Sequence, residues 1–232
     1  ENSKHISTGE GGIVTTNDKN LATKMRKFGG VGFKNLTANS GKVRIDRAKF
    51  QNPNWYRHDT LAYNYRLSEI CAAVGLAQTE KLKNFVKKRI KAGNAYYKFL
   101  KDVKSKLLIP QRIPAGFKHS YYTFAAKFEG EKLGVSWQQF RKKYIYFGGD
   151  GIYAAWKTVG DEIIFDRAKR KGLYSGSMKL TNSYGYGDYP VAKKLQKKIM
   201  QFTTNQKNSS EIKKQVQALK KTILYFSKNN KR

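Results

Sequence analysis

Apolar residues recur at steps of three and four over two stretches of the chain, which is the pattern of a helix with one buried face. The first stretch predicts one long helix, or two joined end to end, over residues 67–104. The second predicts a last helix, for which Asn208 and Glu211 form a capping pair. The apolar positions are Leu67, Ile70, Cys71, Val74, Ala77, Leu82, Phe85, Val86, Ile90 and Tyr97 in the first stretch, and Ile212, Val216, Leu219, Ile223 and Phe226 in the second.

Shorter elements are predicted on both sides of the long helix. Residues 13–16 are β-branched throughout and follow a glycine-rich turn, which predicts a buried strand. Asp18 caps a predicted helix over residues 20–27, which ends at Gly29 and Gly30. The remaining predictions are a strand at 119–128 and helices at 136–146 and 190–202. Long helices mixed with strands indicate an α/β or α+β fold.

Residues 29–60 form a long stretch without a periodic pattern. They are rich in glycine, asparagine, aspartate and threonine, so we predict a long loop with room for a short hairpin. Loops of this length in compact domains usually have a function.

The charge of the chain is strongly positive, at +31. Such a charge is typical of proteins that bind nucleic acid or an anionic membrane. However, the sequence contains 36 lysines and only 11 arginines, whereas base readout and bidentate phosphate binding favour arginine. The lysines are scattered along predicted helix faces, so we interpret the charge as a bias of composition on a solvated surface. That surface could still attract an anionic substrate.

Several classes of protein and site are not expected. The three histidines, His5, His58 and His119, have no ligand spacing, and with a single cysteine, Cys71, a zinc site is not expected. One cysteine also excludes an internal disulfide. The sequence has no apolar run of about 18 residues and no basic-then-apolar leader, so we expect a cytoplasmic protein without a membrane helix.

Lys4 is a candidate for chemistry on the residues alone. It precedes a glycine-rich turn and the predicted buried strand at 13–16. Burial lowers the pKa of a lysine toward neutrality, which makes its amine a nucleophile toward carbonyl groups. The same pattern also fits an ordinary surface lysine.

Two segments resemble the DegT/StrS family of sugar aminotransferases. Residues 3–12 read Ser-Lys-His-Ile-Ser-Thr-Gly-Glu-Gly-Gly, where the family has Lys-x-Ile-Thr-Thr-Gly-Glu-Gly-Gly around its cofactor lysine. Residues 63–69 read Tyr-Asn-Tyr-Arg-Leu-Ser-Glu and precede an Ala-Ala and an Ala-Gln on one helix, as in the family. The segments occur in the family's order. A weaker match is Pro-Val-Ala at 190–192, where a late helix begins.

The resemblance implies fold type I, an α/β fold. Residues 1–80 would be the C-terminal part of the large pyridoxal-phosphate domain, and residues 81–232 the small C-terminal α/β domain. Family members are homodimers with active sites at the interface. They convert a nucleotide-linked keto-deoxysugar to an amino sugar, usually with glutamate as the amino donor. No nucleic-acid or membrane partner is implied.

The resemblance also assigns roles to individual residues. Lys4 matches the catalytic lysine that binds pyridoxal phosphate covalently and shuttles the proton. Asn64 matches the asparagine that reaches the cofactor phosphate of the neighbouring subunit. Arg66 is a candidate for binding the donor carboxylate or an anionic substrate. Tyr153 is a candidate substrate-binding residue, although packing in the core is favoured for both Tyr153 and Trp156.

The chain departs from the family in three respects. It opens at Glu1 without methionine, and the family's other cofactor residues precede the lysine, so we expect a piece of a longer protein that is poorly active alone. Ala62 stands where the family commonly has glycine. An insertion at about 33–57 is expected to shape the choice of substrate.

Two alternatives remain open. One is a deoxysugar dehydratase of the same family, although its known pattern replaces the lysine with histidine, whereas Lys4 is retained here and His5 follows it. The other is a basic nucleic-acid-binding module, against which both the lysine excess and the resemblance argue.

Overall fold

The structure, a computed structural model, describes residues 3–43, 46–162 and 189–229. The chain divides into two compact units, Glu1–Leu82 and Lys83–Arg232. The helices are α1 (Lys19–Gly29), α2 (Arg47–Gln51), α3 (Glu69–Val103), α4 (Trp137–Tyr146), α5 (Pro190–Gln196) and α6 (Ser209–Asn229). The strands are β1 (Leu108–Pro110), β2 (Phe124–Phe128), β3 (Tyr153–Ala154) and β4 (Ile199–Phe202), and short 3-10 helices occur at Gly130–Leu133 and Val159–Asp161.

The predicted helices are largely confirmed. The long helix expected over 67–104 is α3, and the last helix is α6, with the Oδ1 of Asn208 accepting from the Glu211 amide at 3.0 Å. Within α6, Leu219 is fully buried. The first helix, α1, begins after Asp18, whose carboxylate accepts from two main-chain amides of the first turn. Caps and helical periodicity are local signals, which is why the sequence reveals them.

The sheet lies in the second unit and has the order β1-β2-β4-β3, with every neighbouring pair antiparallel. Phe124, Ala126 and Phe128 alternate with more exposed positions along β2, so one face of the sheet is buried. Helices α4 and α6 contribute Phe140 and Leu219 to the same core.

Aromatic side chains dominate this core. Tyr96 of α3 stacks on Phe124 with ring centroids 5.2 Å apart, and Tyr144 of α4 meets Phe202 edge-on at 5.5 Å. Each is at most 2% exposed, and complete burial of one large apolar side chain stabilises a fold by about 1.5–3 kcal/mol. Gly93 lets α3 approach closely, because a Cβ there would lie 2.4 Å from the Tyr121 ring.

Three sequence predictions need correction. Residues 13–16 do not form a strand, because no described segment pairs with them, and Ile13 is 89% exposed. The helix predicted over 190–202 ends at Gln196, and β4 follows, with Met200 and Phe202 buried on alternate positions. The strand predicted over 119–128 begins only at Phe124.

The long loop of the first unit is partly structured. It contains α2, and isolated bridges join Phe33 to His58 and Thr37 to Ser40. No helix in the described part of the chain is long and apolar enough to cross a bilayer.

Candidate functional site

The glycine-rich turn after Lys4 packs against the beginning of α3. A Cβ added at Gly75 would lie 3.0 Å from Thr8 Cγ2, and one added at Gly11 would lie 3.1 Å from Leu67 Cδ1. Gly9 has a φ of 85°, a left-handed conformation that favours glycine. The two segments that carry the family resemblance therefore contact each other in the folded chain.

Asn64 lies on a short extended segment beside the end of α1, where it forms an antiparallel bridge with Gly30. Side chains alternate along an extended segment, so Tyr63 and Tyr65 project to one side and Asn64 to the other. The two tyrosine rings stack with centroids 5.3 Å apart, and Phe28 of α1 packs edge-on against Tyr63 at 5.3 Å. The packing of the Phe28, Tyr63 and Tyr65 rings thus fixes the side of the segment from which the exposed Asn64 side chain projects.

Arg66 orients the carboxamide of Asn64. The Nε of Arg66 donates to the Oδ1 of Asn64 at 3.0 Å. Because a guanidinium nitrogen only donates, the atom that faces it must be the carboxamide oxygen. The amide nitrogen of Asn64 therefore keeps both hydrogens for an acceptor, beside the positive charge of Arg66. Both side chains are exposed, and together they suit an anionic oxygen ligand.

Two further contacts join residues 58–59, which precede the Asn64 segment, to α1 and to the turn that follows α1. Lys27 of α1 pairs with Asp59, with Nζ and Oδ2 2.5 Å apart. The Nδ1 of His58 lies 2.7 Å from the carbonyl oxygen of Val31 and donates to it. The sequence analysis does not expect His58 to be a metal ligand, and its contact with Val31 is structural.

Lys4 is exposed in the structure, which agrees with the alternative of a surface lysine rather than with burial in a protein interior. The role of Lys4 stays a prediction from the family resemblance.

Tyr153 lies in the second unit, on β3. It is 56% exposed, and Trp156 is 87% exposed, so the prediction that both pack in the core is wrong. The strand register explains this result. Tyr153 pairs with Gln201, whereas Ala154 pairs with the buried Met200, so Tyr153 projects from the opposite face of the sheet.

A partly buried polar network, with Tyr144 and Gln215 inside and Asp150 at the surface, holds the loop before β3. The Oε1 of Gln215 accepts from the Tyr144 hydroxyl at 2.7 Å and from the Asp150 amide at 2.8 Å. The Asp150 carboxylate accepts from Thr203 Oγ1 at 2.8 Å and from Gln206 Nε2 at 3.2 Å. Burial raises the pKa of Tyr144, so its hydroxyl stays protonated as a donor. Sequence reasoning missed this network, although Gln215 falls among the apolar positions of α6.

The structure brings Asn64 and Arg66 into direct contact within the first unit, which also contains Lys4. Tyr153 belongs to the second unit. Among residues 3–43, 46–162 and 189–229, no group of three histidine, cysteine, aspartate or glutamate side chains is arranged to hold a metal ion.

Comparison with known proteins identifies sequence relatives. Residues 1–145 match the DegT/DnrJ/EryC1/StrS aminotransferase family. GDP-perosamine synthase of Escherichia coli O157:H7 is 38% identical over 95 residues, which is 41% of this chain and 21% of that protein.

Solved structures share the fold over most of the chain. An aminotransferase from Psychrobacter cryohalolentis has a TM-score of 0.67 at 18% identity, covering 92% of this chain and 51% of that one. GDP-4-keto-6-deoxy-D-mannose-3-dehydratase of E. coli, solved with bound hydrated pyridoxal phosphate, has a TM-score of 0.67 at 19% identity, covering 94% of this chain and 52% of that one. The chain thus spans about half the length of these solved relatives.

Proposed function

The chain belongs to the DegT/DnrJ/EryC1/StrS aminotransferase family, and we propose that it is the part of a pyridoxal-phosphate-dependent enzyme that carries the cofactor lysine. The proposed reaction converts a nucleotide-linked keto-deoxysugar to an amino sugar, with glutamate as the amino donor. The predicted α/β, fold type I architecture is confirmed by the likeness to the two solved relatives. In this proposal residues 1–80 complete the cofactor domain and residues 81–232 form the small domain.

One observation carries the proposal. The segment that follows Lys4 packs on the helix that begins just after Asn64 and Arg66, through the contacts of Thr8 with Gly75 and of Gly11 with Leu67. The family resemblance of two separate segments therefore coincides with their contact in space.

The residues present suit pyridoxal phosphate. The cofactor offers an aldehyde carbon to an amine and a phosphate group to hydrogen-bond donors. Lys4 supplies a primary amine, and Asn64 supplies an amide nitrogen whose oxygen is already engaged by Arg66. In this proposal Lys4 holds the cofactor covalently, and Asn64 donates to its phosphate.

When bound, pyridoxal phosphate supplies the electron sink that stabilises a carbanion. The chain supplies the acid–base chemistry and the orientation. The Nζ of Lys4 accepts a proton from the donor carbon and returns it, which requires the neutral amine. Asn64 donates to phosphate without adding charge, so its desolvation costs little. Arg66 stays protonated and pairs with a carboxylate of the donor or with an anionic substrate.

We propose that the active protein is a homodimer in which Asn64 serves the site of the partner subunit. The resemblance supports this arrangement. The exposure of Asn64 and Arg66 is compatible with a ligand that a second subunit brings.

The second candidate is dehydration of a deoxysugar, because a dehydratase shares the fold as closely as the aminotransferase does. A retained lysine favours amino transfer, since that reaction needs an amine to form and release the covalent link. The two reactions differ in the nitrogen content of the product.

The test is incubation of the full-length protein, with this chain as its C-terminal part, with pyridoxal phosphate, GDP-4-keto-6-deoxymannose and glutamate, followed by mass spectrometry of the sugar product. Amino transfer places one nitrogen on the sugar and yields 2-oxoglutarate from glutamate. A product that has lost oxygen without gaining nitrogen would establish dehydration instead.

A further inference from the structure

Helices α4 and α6 pack against each other in the second unit. Phe140 of α4 stacks on Phe226 of α6 with ring centroids 6.0 Å apart, and Phe147, just after α4, meets Tyr225 edge-on at 6.4 Å. Outside this contact the two helices present lysine and tyrosine side chains, and we call this surface the basic-aromatic face. Its residues are Lys142, Lys143 and Tyr146 from α4 and Lys214, Lys221 and Tyr225 from α6.

Helical spacing places these residues on one side of each helix. Lys142 and Tyr146 are four residues apart on α4, and Lys221 and Tyr225 are four residues apart on α6. Lys214 precedes Lys221 by two helical turns and therefore lies on the same side of α6.

Lys143 joins the two helices at this face. Its Nζ lies 4.0 Å from the ring centroid of Tyr225 and 4.7 Å from that of Tyr146, within the range of a cation–π interaction. Tyr146 is 75% exposed and Tyr225 is 39% exposed. Two tyrosines are thus held in place at the surface although neither is part of the buried core.

No acidic side chain on these helices balances the lysines. Residues 132–149 and 212–232, which contain α4 and nearly all of α6, have no aspartate or glutamate. None of the lysines of the basic-aromatic face forms an ion pair with a residue that the structure describes. In contrast, three lysines elsewhere in the unit surround the carboxylate of Glu129. The positive charge of this face therefore remains available to an anionic partner.

The side chains of the basic-aromatic face favour an anionic lipid surface as that partner. Tyrosine is amphipathic and suits the level of lipid headgroups, and lysines clustered on a helix surface are attracted to anionic headgroups. An interface with another protein would be enriched in arginine and depleted of lysine. A nucleic-acid base would need an open ring face for stacking, and Lys143 covers one face of each tyrosine.

We propose that the basic-aromatic face binds the surface of a membrane that contains anionic lipids. The lysines attract the headgroups as point charges, and Tyr146 and Tyr225 lie at the level of the headgroups. This binding is peripheral. It rests on the second unit alone and does not depend on the chemistry proposed for Lys4.

The test is co-sedimentation of the full-length protein with lipid vesicles at low ionic strength. Vesicles of phosphatidylcholine with about 30% phosphatidylglycerol should bind the protein, vesicles of phosphatidylcholine alone should not, and about 0.5 M salt should release the bound protein. The double variant Lys142→Gln, Lys221→Gln should weaken binding to the anionic vesicles about tenfold, because it removes two charges that face the lipid. Tyr146→Ser leaves the charge unchanged and should weaken this binding about threefold.

The matched control is the double variant Lys157→Gln, Lys194→Gln, which removes the same charge from exposed lysines that line a cavity beside α5. It should leave vesicle binding within about twofold of the wild type, and all variants should unfold at the wild-type temperature because they alter surface side chains. Equal weakening by the two double variants would overturn the proposal in favour of a diffuse charge effect. It would also be overturned if neutral and anionic vesicles bound equally, or if the protein bound an oligonucleotide or an acidic peptide but no vesicle.

Discussion

The two units of the chain differ in how they use apolar residues. In the second unit, rings such as Tyr96, Phe140 and Phe202 are fully buried around a four-stranded sheet. In the first unit, Leu36 is the one large apolar side chain that is buried among the described residues, and Leu61 is 96% exposed. Stability and candidate chemistry are therefore separated along the chain, since Lys4, Asn64 and Arg66 belong to the unit with little core.

The largest predicted loss of stability comes from a substitution in the core of the second unit. Phe202→Ala should lower the free energy of unfolding by about 3–5 kcal/mol, because it leaves a cavity among Tyr96, Phe124 and Tyr144. Leu61→Ala in the first unit is the control and should change it by less than about 0.5 kcal/mol. Urea denaturation followed by circular dichroism measures both. Comparable losses for the two variants would show that the first unit has a core of its own.

Enzymatic activity, in contrast, should be lost on substitution of the candidate site residues in the first unit. In the full-length protein, a homodimer of Lys4→Ala subunits and one of Asn64→Ala subunits should each be nearly inactive. Mixed and allowed to exchange subunits, they should recover about a quarter of the wild-type activity, because half of the dimers then contain one intact site. Subunit exchange is verified with differently tagged chains. Proven exchange without recovery would place Asn64 in the site of its own subunit or outside the site.

Breaking the polar network before β3 should lower the free energy of unfolding by less than the core substitution does. Gln215→Leu leaves the Tyr144 hydroxyl and the Asp150 amide without their acceptor and should cost about 1–3 kcal/mol of unfolding free energy. Gln217→Leu makes the same change on the exposed side of α6 and should be nearly neutral. Thermal unfolding compares the two, and equal effects would mean that the network contributes nothing specific.

The smallest predicted effect is a dependence of stability on pH. Ion pairs with Lys127, Lys198 and Lys132 hold the pKa of the buried Glu129 at about 2, below its ordinary value of 4.5. Because the folded-state pKa is depressed, the stabilisation is present above pH 4.5 and is lost as the pH falls toward 2.

Glu129→Gln removes this contribution, so the stability difference between wild type and variant should shrink between pH 4.5 and pH 2. Glu131→Gln is the control, since its side chain is exposed. Chemical denaturation at several pH values in this window measures the difference. A constant difference would show that the ion pairs do not set the acid response.

The sequence predicts the helices of this chain better than its strands. Helix α3 follows from its periodicity, and helix α6 from its periodicity and its cap, and these signals lie within each segment. In contrast, β1 has three residues and β4 has four, and each becomes a strand only through its neighbours, β2 for β1 and both β2 and β3 for β4. The sequence of a short run such as residues 199–202 does not show which strands it will pair with.

The same distinction applies to the candidate site. The motifs around Lys4 and Asn64 are local, so the sequence identifies them through the family resemblance. The exposure of Tyr153 depends on its pairing with Gln201, and the orientation of Asn64 depends on one hydrogen bond from Arg66. Neither follows from spacing, because each is set by a contact that only the fold creates.

The lysine that carries the cofactor can be identified by chemical trapping. The full-length protein is loaded with pyridoxal phosphate, reduced with borohydride, digested and mapped by mass spectrometry, with Lys4→Arg as the control because a guanidinium group does not condense with an aldehyde. We predict a pyridoxyl group on Lys4, its absence from the control, and a loss of turnover of at least about 10²–10⁴-fold in Lys4→Ala. An adduct on a different lysine, with full turnover by Lys4→Ala, would show that Lys4 is not the cofactor lysine.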